Sequence, residues 1–195
     1  MSDDDEVLPH QVLDGDRLRS LFAEVDEEIG LQGPSVDVVI CGGAALALRW
    51  DGRATTDVDA LGAFPRQFVG AMNIVGSRHG LKPDWFNYAA SVFRPEGLRT
   101  ETVYEGENLH VQAATRPYLL AMKAYAARLK DVDDIERLMA ELGVTSSQLL
   151  PLINQAYDQE TVEAHEGAIN RLIDNLSARE QARRERDRPD SGIDL

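Results

Sequence analysis

Two carboxylates, Asp57 and Asp59, stand two residues apart in the run Thr55-Thr56-Asp57-Val58-Asp59. In an extended strand, residues i and i+2 point to the same face. Side by side, two like charges avoid each other unless something positive lies between them. A divalent metal, Mg²⁺ above all, meets that need, because hard cations take carboxylate oxygens. A glycine pair, Gly42-Gly43, precedes them and lets a backbone come close to an anion such as phosphate. Arg49 and Arg53 lie between the two features and could reach the same anion, and the hydroxyls of Thr55 and Thr56 stand beside the metal position. Metal, phosphate oxygens and fixed carboxylates are the ingredients of phosphoryl and nucleotidyl transfer. Each part has a plainer reading. Glycines serve many strand-to-helix turns, and paired acids are common at exposed strand ends.

The elements that must position these residues are short. Val38-Val39-Ile40-Cys41 reads as a buried strand. Gly42-Gly43 turns it into a short apolar helix from Ala44 to Trp50, and an acidic strand follows. Ahead of it, Leu18, Leu21, Phe22, Val25 and Ile29 form a helical stripe over 14–29. Asp14 or Asp16 can cap its start, and Gly30 ends it. Residues 65–79 read as a second helix, with Pro65 in its first turn. Residues 81–95 are less regular. Residues 99–105 and 108–113 read as two strands joined at Gly106.

From Thr115 the pattern is helical. One helix runs from an N-cap at Thr115 to Arg128, and another over 131–142 is closed by Gly143. Thr145-Ser146-Ser147-Gln148 is a capping-box signature that opens a third helix through Tyr157. A last helix runs from about Glu160 to Ser177, with its continuation beyond that residue left open. The expected organisation is a loosely attached N-terminus at 1–13, an α/β core at 14–114, a helical part at 115–177 and a charged tail at 178–195.

With 195 residues, 43% of them hydrophobic and 28% charged, the chain is an ordinary globular length and composition. A net charge of −14 argues against broad nonspecific nucleic-acid binding, though not against a local basic patch or an anion carried in by metal. The single cysteine, Cys41, excludes an intramolecular disulfide and reads as a small core residue. No apolar run reaches the length of a membrane span, so no membrane partner and a cytoplasmic location are expected. His79 and His165 read as surface residues, and His110 as a sheet residue.

Gly42-Gly43 followed by Asp57-Val58-Asp59 resembles the signature of the polymerase-β-like nucleotidyltransferase superfamily. The stretch GGAALALRWDGRATTDVDAL is similar throughout to a branch of small bacterial proteins that includes the AbiEii-type toxins. DWFNYAASVF, over 84–93, resembles a Trp-Leu-Asn-Asp stretch of those relatives, with Tyr88 where they carry an acid. ATRPYLLAMKAYAARLKDVDDIERL, over 114–138, resembles their helical block. The resemblance implies an α+β fold: a small mixed sheet of nucleotidyltransferase type, flanked by helices and followed by a C-terminal helical segment. It implies Asp57 and Asp59 as Mg²⁺ ligands and catalytic groups, with Gly42 and Gly43 facing a nucleoside triphosphate. Lys123 would contact phosphate and Asp134 would be the late acidic residue. The activity implied is transfer of a nucleoside monophosphate to a hydroxyl of RNA, notably the tRNA 3′ end, or of a protein. A cognate toxin or antitoxin would be a further partner. Many active members carry a third carboxylate on a later strand. Residues 108–112 contain none, and Glu101 or Glu105 on the preceding strand are the alternatives.

Physical reasoning about Lys123 is separate from the resemblance. It sits among Leu119, Leu120, Met122 and Ala126, where a charge needs an anionic partner unless its stem snorkels to water. Asp131, Asp133 and Asp134 also suit the first turn of a helix, and Asp134 could pair with Arg128 or Lys130. Beside the enzyme reading stand a non-catalytic binding module on the same fold and a purely structural domain with two surface aspartates.

Overall fold

The computed structural model describes residues 11–186. They form two compact units. The first comprises the described residues up to Arg94 together with Leu98–Thr115. The second comprises Pro95–Gly97 and the described residues from Arg116 onward. The architecture is α+β, with a small mixed sheet flanked by helices and a helical C-terminal part.

In the first unit, helix α1 (Gly15–Gly30) is capped by Asp14, whose carboxylate accepts from the Arg17 N–H at 2.9 Å. Its apolar stripe, Leu18, Leu21, Phe22, Val25 and Ile29, is buried as the spacing requires. The strands are β1 (Val36–Cys41), β2 (Val58–Leu61), β3 (Phe86–Asn87), β4 (Thr100–Glu105) and β5 (Leu109–Ala114), in the order β3-β2-β1-β5-β4. β1 runs parallel to β5 and antiparallel to β2, β2 is parallel to β3, and β4 and β5 form the expected hairpin. Helix α2 (Gly42–Ala47) follows β1 directly, and α3 (Arg66–Arg78) follows β2.

Register sorts the sheet into two faces, because residues paired across strands share a face and successive residues alternate. One face carries Val38, Ile40, Val58, Ala60, Phe86, Leu109, Val111 and Ala113, all buried. Phe22 of α1 meets Phe86 and Tyr104 at ring-centroid distances of 6.4 and 5.8 Å, and Phe68 of α3 meets Phe86 at 5.1 Å. The other face carries Asp37, Val39, Asp59, Asn87, His110 and Gln112, which are not fully buried, together with Cys41, Leu61 and Ala114, which are. A β-bulge between Thr102 and Tyr104 bends the outer strand β4. At the hairpin, Asp26 of α1 accepts from the N–H groups of Asn108 and Leu109, at 2.7 and 2.5 Å.

The second unit holds α4 (Arg116–Ala126), α5 (Val132–Leu142), α6 (Leu149–Ala156), α7 (Gln159–Glu163) and α8 (Glu166–Arg186). Gly143 closes α5 in the left-handed conformation, and the capping box at Thr145 and Gln148 forms as its pattern indicates, opening first a 3₁₀ turn and then α6. Three expectations shift. The final helix is broken at Ala164-His165, where the His165 N–H reaches back only three residues to the Val162 carbonyl and the chain turns before α8. Residues 178–186, read as tail, continue α8, because Arg179 and Arg183 pair with Glu136 of α5. Residues 1–10 and 187–195 lie outside the described residues. Leu13, assigned by pattern to a loose N-terminus, is 0% exposed and bridges to Thr55. No helix among the described residues is long and apolar enough to cross a membrane.

Candidate functional site

The site grows from the turn between β1 and α2. Gly42 takes φ +63°, a conformation that favours glycine, and makes the sharp exit from the strand. A Cβ on Gly42 would lie 2.7 Å from Oδ2 of Asp59, and one on Gly43 would lie 2.7 Å from Oγ1 of Thr55. The glycine pair therefore admits this chain's own carboxylate and hydroxyl to its backbone, where the sequence pattern points to room for a phosphate. The guanidinium of Arg53 completes the cluster, with one nitrogen 3.6 Å from the same point on Gly43. Arg53 also donates to the Ala54 carbonyl.

Asp59 lies on β2, paired in register with Cys41 on one side and Asn87 on the other. The buried Cys41 thiol donates to the Asp59 carbonyl at 3.6 Å, so this cysteine is a core residue that helps tie the two strands. Asp57 falls one residue before β2, in the loop, and not in a strand that includes both acids. Its position is set by a hydrogen bond from Thr55 Oγ1 to Asp57 Oδ1 at 3.0 Å. Thr55 in turn exchanges two backbone bonds with Leu13, at 2.7 and 3.0 Å. Thr56, whose hydroxyl is expected beside the metal position and the bound nucleotide, is exposed. Thr55 is the threonine that touches the cluster. Its signal in the sequence is its neighbourhood alone, since both threonines precede the acids.

Arg49 departs from its expected role. Its side chain is buried, and it donates to the Ala45 carbonyl at 2.6 Å, to the Ala114 carbonyl at 2.9 Å and to Glu101 through Nε at 2.8 Å. A guanidinium with three fixed acceptors is a structural tie between α2 and the β4–β5 pair, because its donors are already engaged. Glu101 is thereby accounted for. Its register runs through Ala113 and Ile40 to Ala60, so it projects from the face opposite Asp59. Three strand spacings separate their strands, about 14 Å. Glu105, the other candidate third carboxylate, pairs with His110 at 3.1 Å on that outer strand. Among the described residues, no group of three or more His, Cys, Asp or Glu side chains could hold a metal ion.

Lys123 and Asp134 belong to the second unit. Lys123 is 7% exposed on α4 and has the anionic partners its apolar surroundings demand. Its ammonium pairs with Asp131 and with Oδ2 of Asp134 at 3.0 Å. Sequence reasoning misses Asp131 as a partner of the lysine, because first-turn acids are usually explained by the helix dipole. Beside the triad, Ala127 ends α4 with φ +48°, strained for a residue with a Cβ.

The donor set at Gly42–Asp59 suits Mg²⁺. That ion is commonly held by one or two carboxylates together with substrate phosphates and water. Asp57 and Asp59 would supply the carboxylates, and Thr55 a further hard oxygen. Comparison with protein-family models, with curated proteins and with solved structures finds no match for this chain.

Proposed function

We propose that the cluster of Gly42, Gly43, Arg53, Thr55, Asp57 and Asp59 is the metal–nucleotide centre of a nucleotidyltransferase. One observation carries this reading. A tight glycine turn is shaped to seat an aspartate and a threonine, and that threonine holds a second aspartate. Asp57 and Asp59 would hold Mg²⁺, which supplies charge neutralisation along the phosphates. Arg53 would face the triphosphate, and the glycine backbone would flank it. The acceptor is a hydroxyl of RNA, such as the tRNA 3′ end, or of a protein. Its oxygen would bond to the α-phosphorus and release its proton to solvent, while the bond from the α-phosphorus to the bridging oxygen breaks and pyrophosphate departs. The sequence resemblance to toxin nucleotidyltransferases is what supports a role as the toxin of a toxin–antitoxin or phage-defence system. The test is incorporation of labelled nucleotide into total RNA and into protein, set against the Asp57→Ala/Asp59→Ala double variant. Equal labelling by the two proteins refutes the proposal.

A second reading, a nucleotidyltransferase-like binding protein without catalysis, such as an antitoxin or partner subunit, is favoured by the Arg49–Glu101 pair. That pair engages one of the two candidates for a third carboxylate ligand and holds it on the opposite sheet face. Calorimetry with Mg²⁺ and each triphosphate bears on the choice. Binding without turnover selects this reading, and binding with turnover selects the enzyme.

A further inference from the structure

We infer that Thr55 is a positioning residue for the carboxylate pair, and that residues 11–13 form the strap that aims it. The inference rests on the metal–nucleotide reading of the site and names what sets its geometry. Asp57 lies outside β2, so no sheet ladder fixes it. What fixes it is the Thr55 hydroxyl at 3.0 Å. That hydroxyl is confined on its far side by Gly43, where any side chain would meet it at 2.7 Å. Its backbone is confined by the two-bond bridge to Leu13. Leu13 is itself anchored by complete burial, which gives so short a segment the grip to hold an interior loop. The chain of constraint thus runs from buried Leu13, through its backbone, to Thr55, and through one hydroxyl to Asp57. Loss of the strap would free Thr55 and with it the Asp57 carboxylate, while β1, β2 and Asp59 stay in their ladder.

The experiment uses the full chain, with Mn²⁺ and a non-hydrolysable nucleoside triphosphate as probe. Mn²⁺ affinity is read by electron paramagnetic resonance, and amide hydrogen exchange is read without metal. Thr55→Val removes the hydroxyl at constant shape, and Thr55→Ser restores it. Loss of a group that orients a metal ligand typically weakens metal affinity roughly 10- to 100-fold. That loss is expected for Thr55→Val, with near-normal affinity for Thr55→Ser and unchanged exchange in β1 and β5 for both. Leu13→Ala is expected to speed exchange over residues 53–57 and to weaken Mn²⁺ binding, with no further loss when added to Thr55→Val. Because Leu13 acts only through Thr55, additive losses overturn the strap. Unaltered Mn²⁺ affinity in Thr55→Val, with binding intact in the unsubstituted chain, overturns the positioning role alone. Failure of the unsubstituted chain to bind the probe at all overturns the metal–nucleotide reading and this inference with it.

Discussion

Replacing Gly42 by alanine tests whether the turn is shaped by the Asp59 carboxylate or merely by the backbone. Two costs are expected. The first is conformational, because Gly42 has φ +63° and an L-residue in that region costs about 1–2 kcal/mol. The second is steric, because the new Cβ would lie 2.7 Å from Asp59 Oδ2 and 3.5 Å from its Cβ and Cγ. Asp59 Oδ2 is the tip of a side chain that can turn aside, so this second cost is at most about 1 kcal/mol, the low end for overpacking. Gly52 separates the two, since it has φ +75° and a Cβ added there would have nothing within 4 Å. Gly52→Ala should therefore lose only the conformational part, and Gly42→Ala about 1–3 kcal/mol in all, adding the two ranges. Trp50 and Trp85 are the chain's two tryptophans, and both are buried in the first unit. Their fluorescence during urea unfolding reports the unit that contains both glycines. Gly42→Ala should also weaken Mn²⁺–triphosphate binding, whereas Gly52→Ala should not. If Gly42→Ala costs no more than Gly52→Ala, the carboxylate does not rest against the turn and the reasoning about the glycine pair is wrong.

Three further outcomes follow from the same geometry. Lys123→Met removes the cation that buried Asp131 and Asp134 share and should cost about 3–5 kcal/mol, read by circular dichroism of the helices. Adding Asp131→Asn and Asp134→Asn should recover part of that loss, and no recovery would assign the cost to packing. Ala127→Gly should stabilise by roughly 0.5–1 kcal/mol, since it relieves a left-handed residue at the end of α4; calorimetric melting checks the sign. Burial alone would raise the Glu24 carboxyl, but hydrogen bonds from Arg78 and His79 outweigh it and hold the group below its ordinary value of 4.5. A depressed folded-state value means the stabilisation is complete above the ordinary value and is lost as pH falls through the depressed one. The stability gap between the native chain and Glu24→Gln should thus be constant near neutrality and close on acidification, and a gap that widens in acid would contradict the pairing.

Most of what can be read from the chain alone is local. The stripe from Leu18 to Ile29, the Asp14 cap, the Gly143 stop and the Thr145–Gln148 box depend on residues within one or two turns, so spacing and hydrogen-bonding capacity suffice to read them. The components of the site are legible for a related reason. A glycine pair and two acids in one short run carry their chemistry in their types. The tertiary structure decides which of those components meet. Asp57 lies outside the strand because Thr55 is drawn into a bridge with Leu13, a pairing that no local pattern announces. Arg49 is committed to Glu101 and to the Ala114 carbonyl, far along the chain, so its charge alone could not reveal its use. Lys123 announces its need for an anion through its apolar neighbours, yet only the fold of α4 against the following turn and α5 shows Asp131 and Asp134 to be that anion. Pattern fixes what a side chain requires of its surroundings. Which partner meets the requirement is set by strand register and helix packing, which bring distant residues within hydrogen-bonding reach.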